Sequence, residues 1–237
     1  MILDASRFTP IGGQDKSQPL PYDPSNRLET QIKTSFQTSL DNLRTSYLDS
    51  LLLHSPLNTL AQTITAWKTL MALQDSGKVK FIGVSNTYDV AVLETLERIG
   101  GRRVQIVQNR WFEGNQWDTD VLEYCLKNKV QYQSVPHVSL WVHYPADYYL
   151  FQICRSFWTL TGSPNLLAHP ELLAFAKRKG LTAAQVAYRL AQSRGVTPIS
   201  GTTQESHMQH DIAVGDLALE DEDKSVFNSI ASWMGLT

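Results

Sequence analysis

The segment Leu48-Asp49-Ser50-Leu51-Leu52-Leu53-His54-Ser55-Pro56 restricts the folds open to this chain more than any other. Leu51 to Leu53 form an apolar run that leads straight into a histidine. A short run of this kind reads as a strand buried on both faces, as strands of a parallel sheet are when helices cover both sides. Pro56, with no N–H to donate, ends the run. His54 therefore stands at the C-terminal end of a parallel strand, the end that carries the chemistry in strand–helix barrels. Taken alone, His54 is equally consistent with a histidine hydrogen-bonded at a strand end.

The rest of the chain repeats the alternation that such a strand requires. A strand near residues 2–8 is followed by a polar loop, 9–26, rich in Gly and Pro. A helix over 27–43 carries Leu28, Ile32, Phe36, Leu40 and Leu43 at helical spacing. The His54 strand precedes a helix over 59–75, with Gly77 as its C-cap. The Phe81 strand, a helix over 89–99, the Val104 strand, a helix over 119–128 and a strand at 130–133 follow. Helices over 169–179 and 182–193 lead to a last strand at 196–199 and to helices over 205–213 and 220–232. Strands alternating with helices predict a parallel α/β sheet, here of six strands. No internal repeat beyond this alternation and no low-complexity tract is present.

Length and composition set outer bounds. The 237 residues permit one large domain, and 42% hydrophobic residues is a globular value. A net charge of −2 gives no reason to expect a nucleic-acid or membrane partner. Two cysteines, Cys125 and Cys154, suit a reducing compartment such as the cytoplasm and no disulfide framework. Cys125 lies in a helical pattern and reads as a small core residue. No signal-peptide pattern opens the sequence, and no apolar run is long enough to span a bilayer. His207 and His210 lack a third ligand, so a solvated helix face is expected there and no metal site.

Five motifs in order carry a family resemblance: the His54 segment, Gly77 to Asn86 ending in Ser85-Asn86, Val104 to Arg110, Ser156 to Gly162, and Thr197 to Thr203. Together they resemble the aldo-keto reductases over most of residues 6–233. The resemblance implies a (β/α)8 TIM barrel, of which about six of eight strand–helix units are present here. On this reading residues 1–237 form one domain that starts at the family's third unit.

The resemblance also implies NADP-dependent reduction of an aldehyde or ketone to an alcohol. His54 matches the histidine that orients the carbonyl. Ser6-Arg7-Phe8-Thr9-Pro10 resembles the strand end that carries a lysine in the family, so Arg7 stands in the lysine's place. An arginine there is always charged, planar and bulkier, and it either supplies positive potential or is paired at the strand end. The family's tyrosine and aspartate match no residue of this sequence. Tyr22, in the loop between Pro21 and Pro24, is a remote candidate for a replacement acid.

For the cofactor, the resemblance implies Ser85, Asn86 and Asn109 around the nicotinamide carboxamide, with Trp158 stacked on its ring. Thr161, Gly162 and Ser163 match the loop that supports the pyrophosphate. Gly201, Thr202, Thr203, His207 and Asp211 match the clasp around the adenosine end. The family's basic residues for a 2′-phosphate are absent there, so NADP is expected with NAD as an alternative.

Residues 135–155 break the pattern. Deleting them with one of Ser134 or Ser156 restores the family's Tyr-Gln-Ser-Phe-Trp-Thr-Leu-Thr. The segment is aromatic, nearly uncharged and without period. It reads as an atypical insertion, either a retained intron translated in frame or a flap at the substrate mouth. A functioning reductase, a non-catalytic cofactor-binding or regulatory homologue, and a non-functional fragment are the three readings open at this point.

Overall fold

In the computed structural model, residues 5–134, 160, 162–199 and 205–236 are described, without the side chains of His207 and Met208. Trp158, Thr161, Gly201, Thr202, Thr203 and the segment 135–155 lie outside the described residues.

Six parallel strands alternate with helices, as the apolar pattern predicts. They are β1 (Ala5–Phe8), β2 (Leu48–Leu53), β3 (Val79–Ser85), β4 (Ile106–Asn109), β5 (Gln131–Ser134) and β6 (Val196–Pro198). The helices are α1 (Leu28–Leu43), α2 (Leu60–Asp75), α3 (Val90–Arg98), α4 (Thr119–Asn128), α5 (Pro164–Leu167), α6 (Pro170–Lys179), α7 (Ala183–Ser193), α8 (Glu205–Ala213) and α9 (Asp221–Trp233). The chain divides into two compact units, residues 1–109 with 123–131, and residues 110–122 with 132–237.

In the first unit β1 to β4 pair in chain order, all parallel. All six residues of β2 are buried, as its leucine run requires. The register places Arg7, Leu52, Gly83 and Ile106 side by side, then Phe8, Leu53, Val84 and Val107 one step on. Paired residues share a face and successive residues alternate, so these two rows point to opposite sides of the sheet. The second row packs with the buried helix residues Ile32, Phe36 and Leu40 of α1 and Ala66, Trp67, Leu70 and Leu73 of α2 into the unit's core. Leu43, expected on the buried face of α1, is 44% exposed. The helix ends there, and Arg44 takes a left-handed conformation that turns the chain away.

Gly83 lets the sheet close up on the other side. A Cβ at that position would lie 2.7 Å from Leu52 Cδ2 and collide with the Ile106 carbonyl. Helix starts are fixed by local chemistry. The Thr59 side chain accepts from Gln62 N at 3.2 Å at the head of α2, and Asp89 accepts from Ala91 N at 2.8 Å at the head of α3. Gly77, after α2, takes φ +76°, the left-handed conformation expected of a glycine ending a helix. Cys125 is buried, as its helical pattern predicts.

In the second unit β5 pairs with β6, Tyr132 opposite Val196 and Ser134 opposite Pro198. Thr182 and Gln185 form a reciprocal capping box at α7, with Gln185 N to Thr182 Oγ1 at 3.2 Å and Thr182 N to Gln185 Oε1 at 3.0 Å. Residues Gln116, Trp117 and Asp118 all have positive φ within a short 3-10 stretch. Trp117 packs on Trp111 at 4.8 Å, and Tyr132 Oη donates to Asp118 Oδ2 at 2.7 Å, which holds that stretch in place.

Candidate active site

The C-terminal ends of β1 to β4 bring polar groups together on one face. Arg7 sits one residue before the end of β1. His54 follows β2 two positions after Leu52, and Ser85 and Gln108 are paired at the ends of β3 and β4. By strand parity Arg7, His54, Ser85 and Gln108 all project to the face that Gly83 keeps tight.

Their contacts agree with that placement. Arg7 Nη1 donates to Gln108 Oε1 at 3.3 Å. Ser85 Oγ donates to the Gln108 carbonyl at 2.7 Å. Burial lowers the Arg7 pKa from its ordinary value, although the side chain still reaches solvent, and a guanidinium stays charged regardless. No carboxylate among the described residues forms an ion pair with Arg7. The charge is therefore left facing the strand ends, where it can stabilise negative charge that develops on a bound oxygen. Arg7 is thus hydrogen-bonded to a neutral amide at the strand end and has no ion pair among the described residues.

His54 is half-buried. Its backbone N–H donates to Phe8 O at 2.9 Å, and its ring Nδ1 lies 3.0 Å from Thr9 Oγ1. Tyr22 is buried nearby, its ring 5.3 Å from that of Phe8. Tyr22 Oη donates to the Thr9 carbonyl at 2.7 Å, and burial raises the phenol pKa. Both facts make Tyr22 a poor proton donor to a ligand.

The two asparagines predicted at the cofactor are placed differently. Asn86 adopts φ +49°, a left-handed conformation that asparagine tolerates, and its Nδ2 donates to His54 O at 2.8 Å. It thus ties the end of β3 to the end of β2, beside Ser85. Asn109 has the opposite parity to Gln108 and is fully buried. Its Oδ1 accepts from Thr87 N at 2.9 Å and its Nδ2 donates to Thr87 O at 2.7 Å. The amide that the structure places with Arg7 and Ser85 is Gln108, which the sequence reading passed over. Only the register of β4 against β3, which pairs Gly83 with Ile106 and Ser85 with Gln108, puts Gln108 on that face.

The second unit carries the remaining described candidates. Gly162 and Ser163 precede α5, and Ser163 is fully buried. Ser163 Oγ accepts from Glu113 N at 3.3 Å. The Glu113 carboxylate in turn accepts from Leu166 N at 2.7 Å and from Asn165 Nδ2 at 2.8 Å, pinning the turn into α5. Glu113 is a second contributor that no sequence pattern singled out. Asp211 lies on α8, whose other predicted member, His207, has no described side chain. No metal-binding group of three or more His, Cys, Asp or Glu occurs among the described residues. No described helix is long and apolar enough to cross a membrane.

A carboxamide needs donors and acceptors together, and the Ser85 hydroxyl with the Asn86 and Gln108 amides provides both kinds. Ser85 Oγ, Asn86 Nδ2 and Gln108 Oε1 already hold partners at the strand ends, so a carboxamide would exchange with those hydrogen bonds.

Comparison with known proteins gives a family and a fold. The profile described as "Aldo/keto reductase family" matches residues 19–232. An uncharacterised oxidoreductase of Bacillus subtilis, YtbE, is 25% identical over 196 residues, 83% of this chain and 60% of that protein. Prostaglandin F synthase 1 of Bos taurus is 25% identical over 219 residues, 84% of this chain and 64% of that protein. The chain thus spans 60% to 64% of the length of these relatives. An aldo/keto reductase structure from Brucella melitensis superposes with a TM-score of 0.65 at 22% identity, covering 84% of this chain and 67% of that one. A mutant of Gox0644, solved in complex with NADPH, gives 0.68 at 20% identity, covering 95% and 69%. These structures are (β/α)8 barrels by family, and their likeness carries the fold. With the profile spanning most of its length, the chain belongs to the aldo/keto reductase family.

Proposed function

We propose that this chain carries the histidine and nicotinamide-facing side of an NADP-dependent oxidoreductase that reduces an aldehyde or ketone to an alcohol. The observation that carries this reading is the convergence of Arg7, His54, Ser85 and Gln108 at the ends of four consecutive parallel strands. The bound dinucleotide supplies a hydride donor. Ser85, Asn86 and Gln108 hold its carboxamide. His54 donates a hydrogen bond to the substrate oxygen, and Arg7 offsets the charge that grows there. For the rest of the dinucleotide the family pattern supports Ser163 and Asp211, with Trp158, Thr161, Thr202, Thr203 and His207 as further contacts. The solved relative with NADPH favours NADP over NAD.

The family's proton-donating tyrosine matches no residue here, and the Tyr22 proton is committed to Thr9. The 237-residue polypeptide on its own therefore turns over slowly, since a positioned acid contributes roughly 10²–10⁴ in rate. We read residues 135–155 as an insertion in the family pattern, and the buried Cys125 suits a reducing compartment such as the cytoplasm. The test is a pair of assays. NADPH titration followed by carbonyl-dependent NADPH oxidation separates a reductase from a non-catalytic cofactor-binding homologue. Saturable binding with weak turnover that His54→Ala abolishes supports the proposal; absence of binding contradicts it.

A further inference from the structure

We propose that Thr9 is a positioning residue that holds the His54 imidazole in its Nε2–H tautomer. The consequence for catalysis rests on the function proposed above, whereas the tautomer itself follows from local geometry. A neutral imidazole has one N–H and one lone pair, and which nitrogen carries the proton is set by the partner of the other. Thr9 Oγ1 lies 3.0 Å from His54 Nδ1. Among the described residues this ring nitrogen is the partner found for the Thr9 hydroxyl. With the hydroxyl as donor to Nδ1, the ring proton is on Nε2.

Three features fix the hydroxyl in that direction. The Thr9 carbonyl accepts from Tyr22 Oη at 2.7 Å and from Gln14 Nε2 at 2.9 Å, which immobilises the backbone. The His54 backbone N–H is tied to Phe8 O at 2.9 Å, so ring and threonine share one anchor. Gly13 then selects the rotamer. A Cβ on Gly13 would approach Thr9 Cγ2 to 3.0 Å and His54 Nδ1 to 3.9 Å, so the threonine methyl occupies the space over that glycine. A β-branched side chain with its methyl so placed has little freedom left at χ1, and the hydroxyl faces the ring.

Burial of Tyr22 acquires a role in this arrangement. Its phenol serves as a brace for Thr9, one step removed from the histidine. The nitrogen that meets a carbonyl oxygen is then always a donor, as reduction requires.

The tautomer is read directly from imidazole ¹⁵N chemical shifts of the full chain, at alkaline pH where histidine is neutral. The wild type is expected to show His54 predominantly as Nε2–H. Thr9→Val keeps the branched shape and cannot donate, and it should raise the Nδ1–H population several-fold. Thr9→Ser keeps the hydroxyl and should retain the wild-type pattern. NADPH affinity should stay within twofold across the three, because Thr9 acts on the ring and not on the nucleotide. A wild-type His54 that is mainly Nδ1–H overturns the proposal even if Thr9→Val fails to fold. An unchanged tautomer in a folded Thr9→Val protein overturns it too. Failure of the wild type to bind NADPH would instead remove the functional reading and leave the tautomer result standing.

Discussion

Asn109 and Gln108 are adjacent amides with opposite parity, and exchanging either for alanine should give opposite outcomes. Asn109 is fully buried and satisfies both backbone groups of Thr87, accepting at 2.9 Å and donating at 2.7 Å. Asn109→Ala strands a buried N–H and a buried C=O together. Each such group costs about 1–3 kcal/mol, so a loss of about 2–6 kcal/mol is expected. For a protein of this size about 1 kcal/mol moves Tm by roughly 2–4 °C, which predicts a fall of roughly 4–24 °C. Gln108→Ala removes a side chain whose amide meets Arg7 at the site, at 3.3 Å. It should lower Tm less than Asn109→Ala does and weaken NADPH binding about tenfold, the equivalent of about 1.4 kcal/mol. Thermal melts and NADPH titrations on both variants make the comparison. The reasoning fails if Asn109→Ala melts like the wild type, or if it loses NADPH affinity with Tm unchanged while Gln108→Ala binds normally.

Three further outcomes follow from packing and charge. Gly83→Ala should cost about 1–3 kcal/mol by overpacking against Leu52 and Ile106, while Gly12→Ala, with nothing within 4 Å, should be close to neutral in the same denaturation series. Burial alone would raise the Asp223 carboxyl, but Lys179, the Glu220 N–H and Arg178 outweigh it and hold the pKa below its ordinary value. The stabilisation is therefore present above the unfolded value of about 3.9 and is lost as pH falls through the folded one. The Tm gap between the wild type and Asp223→Asn should be open at neutral pH and narrow below about pH 4; a gap that widens in acid would contradict it. Glu113→Ala should speed amide exchange at Leu166, whose N–H loses its 2.7 Å acceptor, with little effect on β1 to β4.

The strand–helix alternation was legible because it rests on local pattern. Leu51 to Leu53 could belong only to a buried element, and Thr59, Asp89 and Thr182 mark helix starts by chemistry that needs no tertiary context. His54 and Ser85 were legible for the same reason, as residues at the ends of recognisable strands. Gln108 was not, because choosing between it and Asn109 requires the register of β4 against β3, a non-local quantity. The left-handed run Gln116 to Asp118 was illegible too. Its residues are not ones that favour positive φ, and it is held by Asn115 Nδ2 on Arg110 O, by Trp117 N on Phe112 O, by the Trp111 ring and by Tyr132 from 14 residues on. The Thr9 contact with His54 joins residues 45 positions apart and leaves no mark in the sequence.

The central claim is that the ends of β1 to β4 form a nicotinamide site with His54 at the reacting oxygen. Calorimetric titration of the 237-residue chain with NADPH, repeated on Ser85→Ala and Gln108→Ala, tests it most directly. Saturable one-to-one binding in the wild type, weakened about tenfold in each variant when each is titrated well below its own Tm, is the predicted result. Equal affinity in all three proteins, or no binding in any, would contradict it.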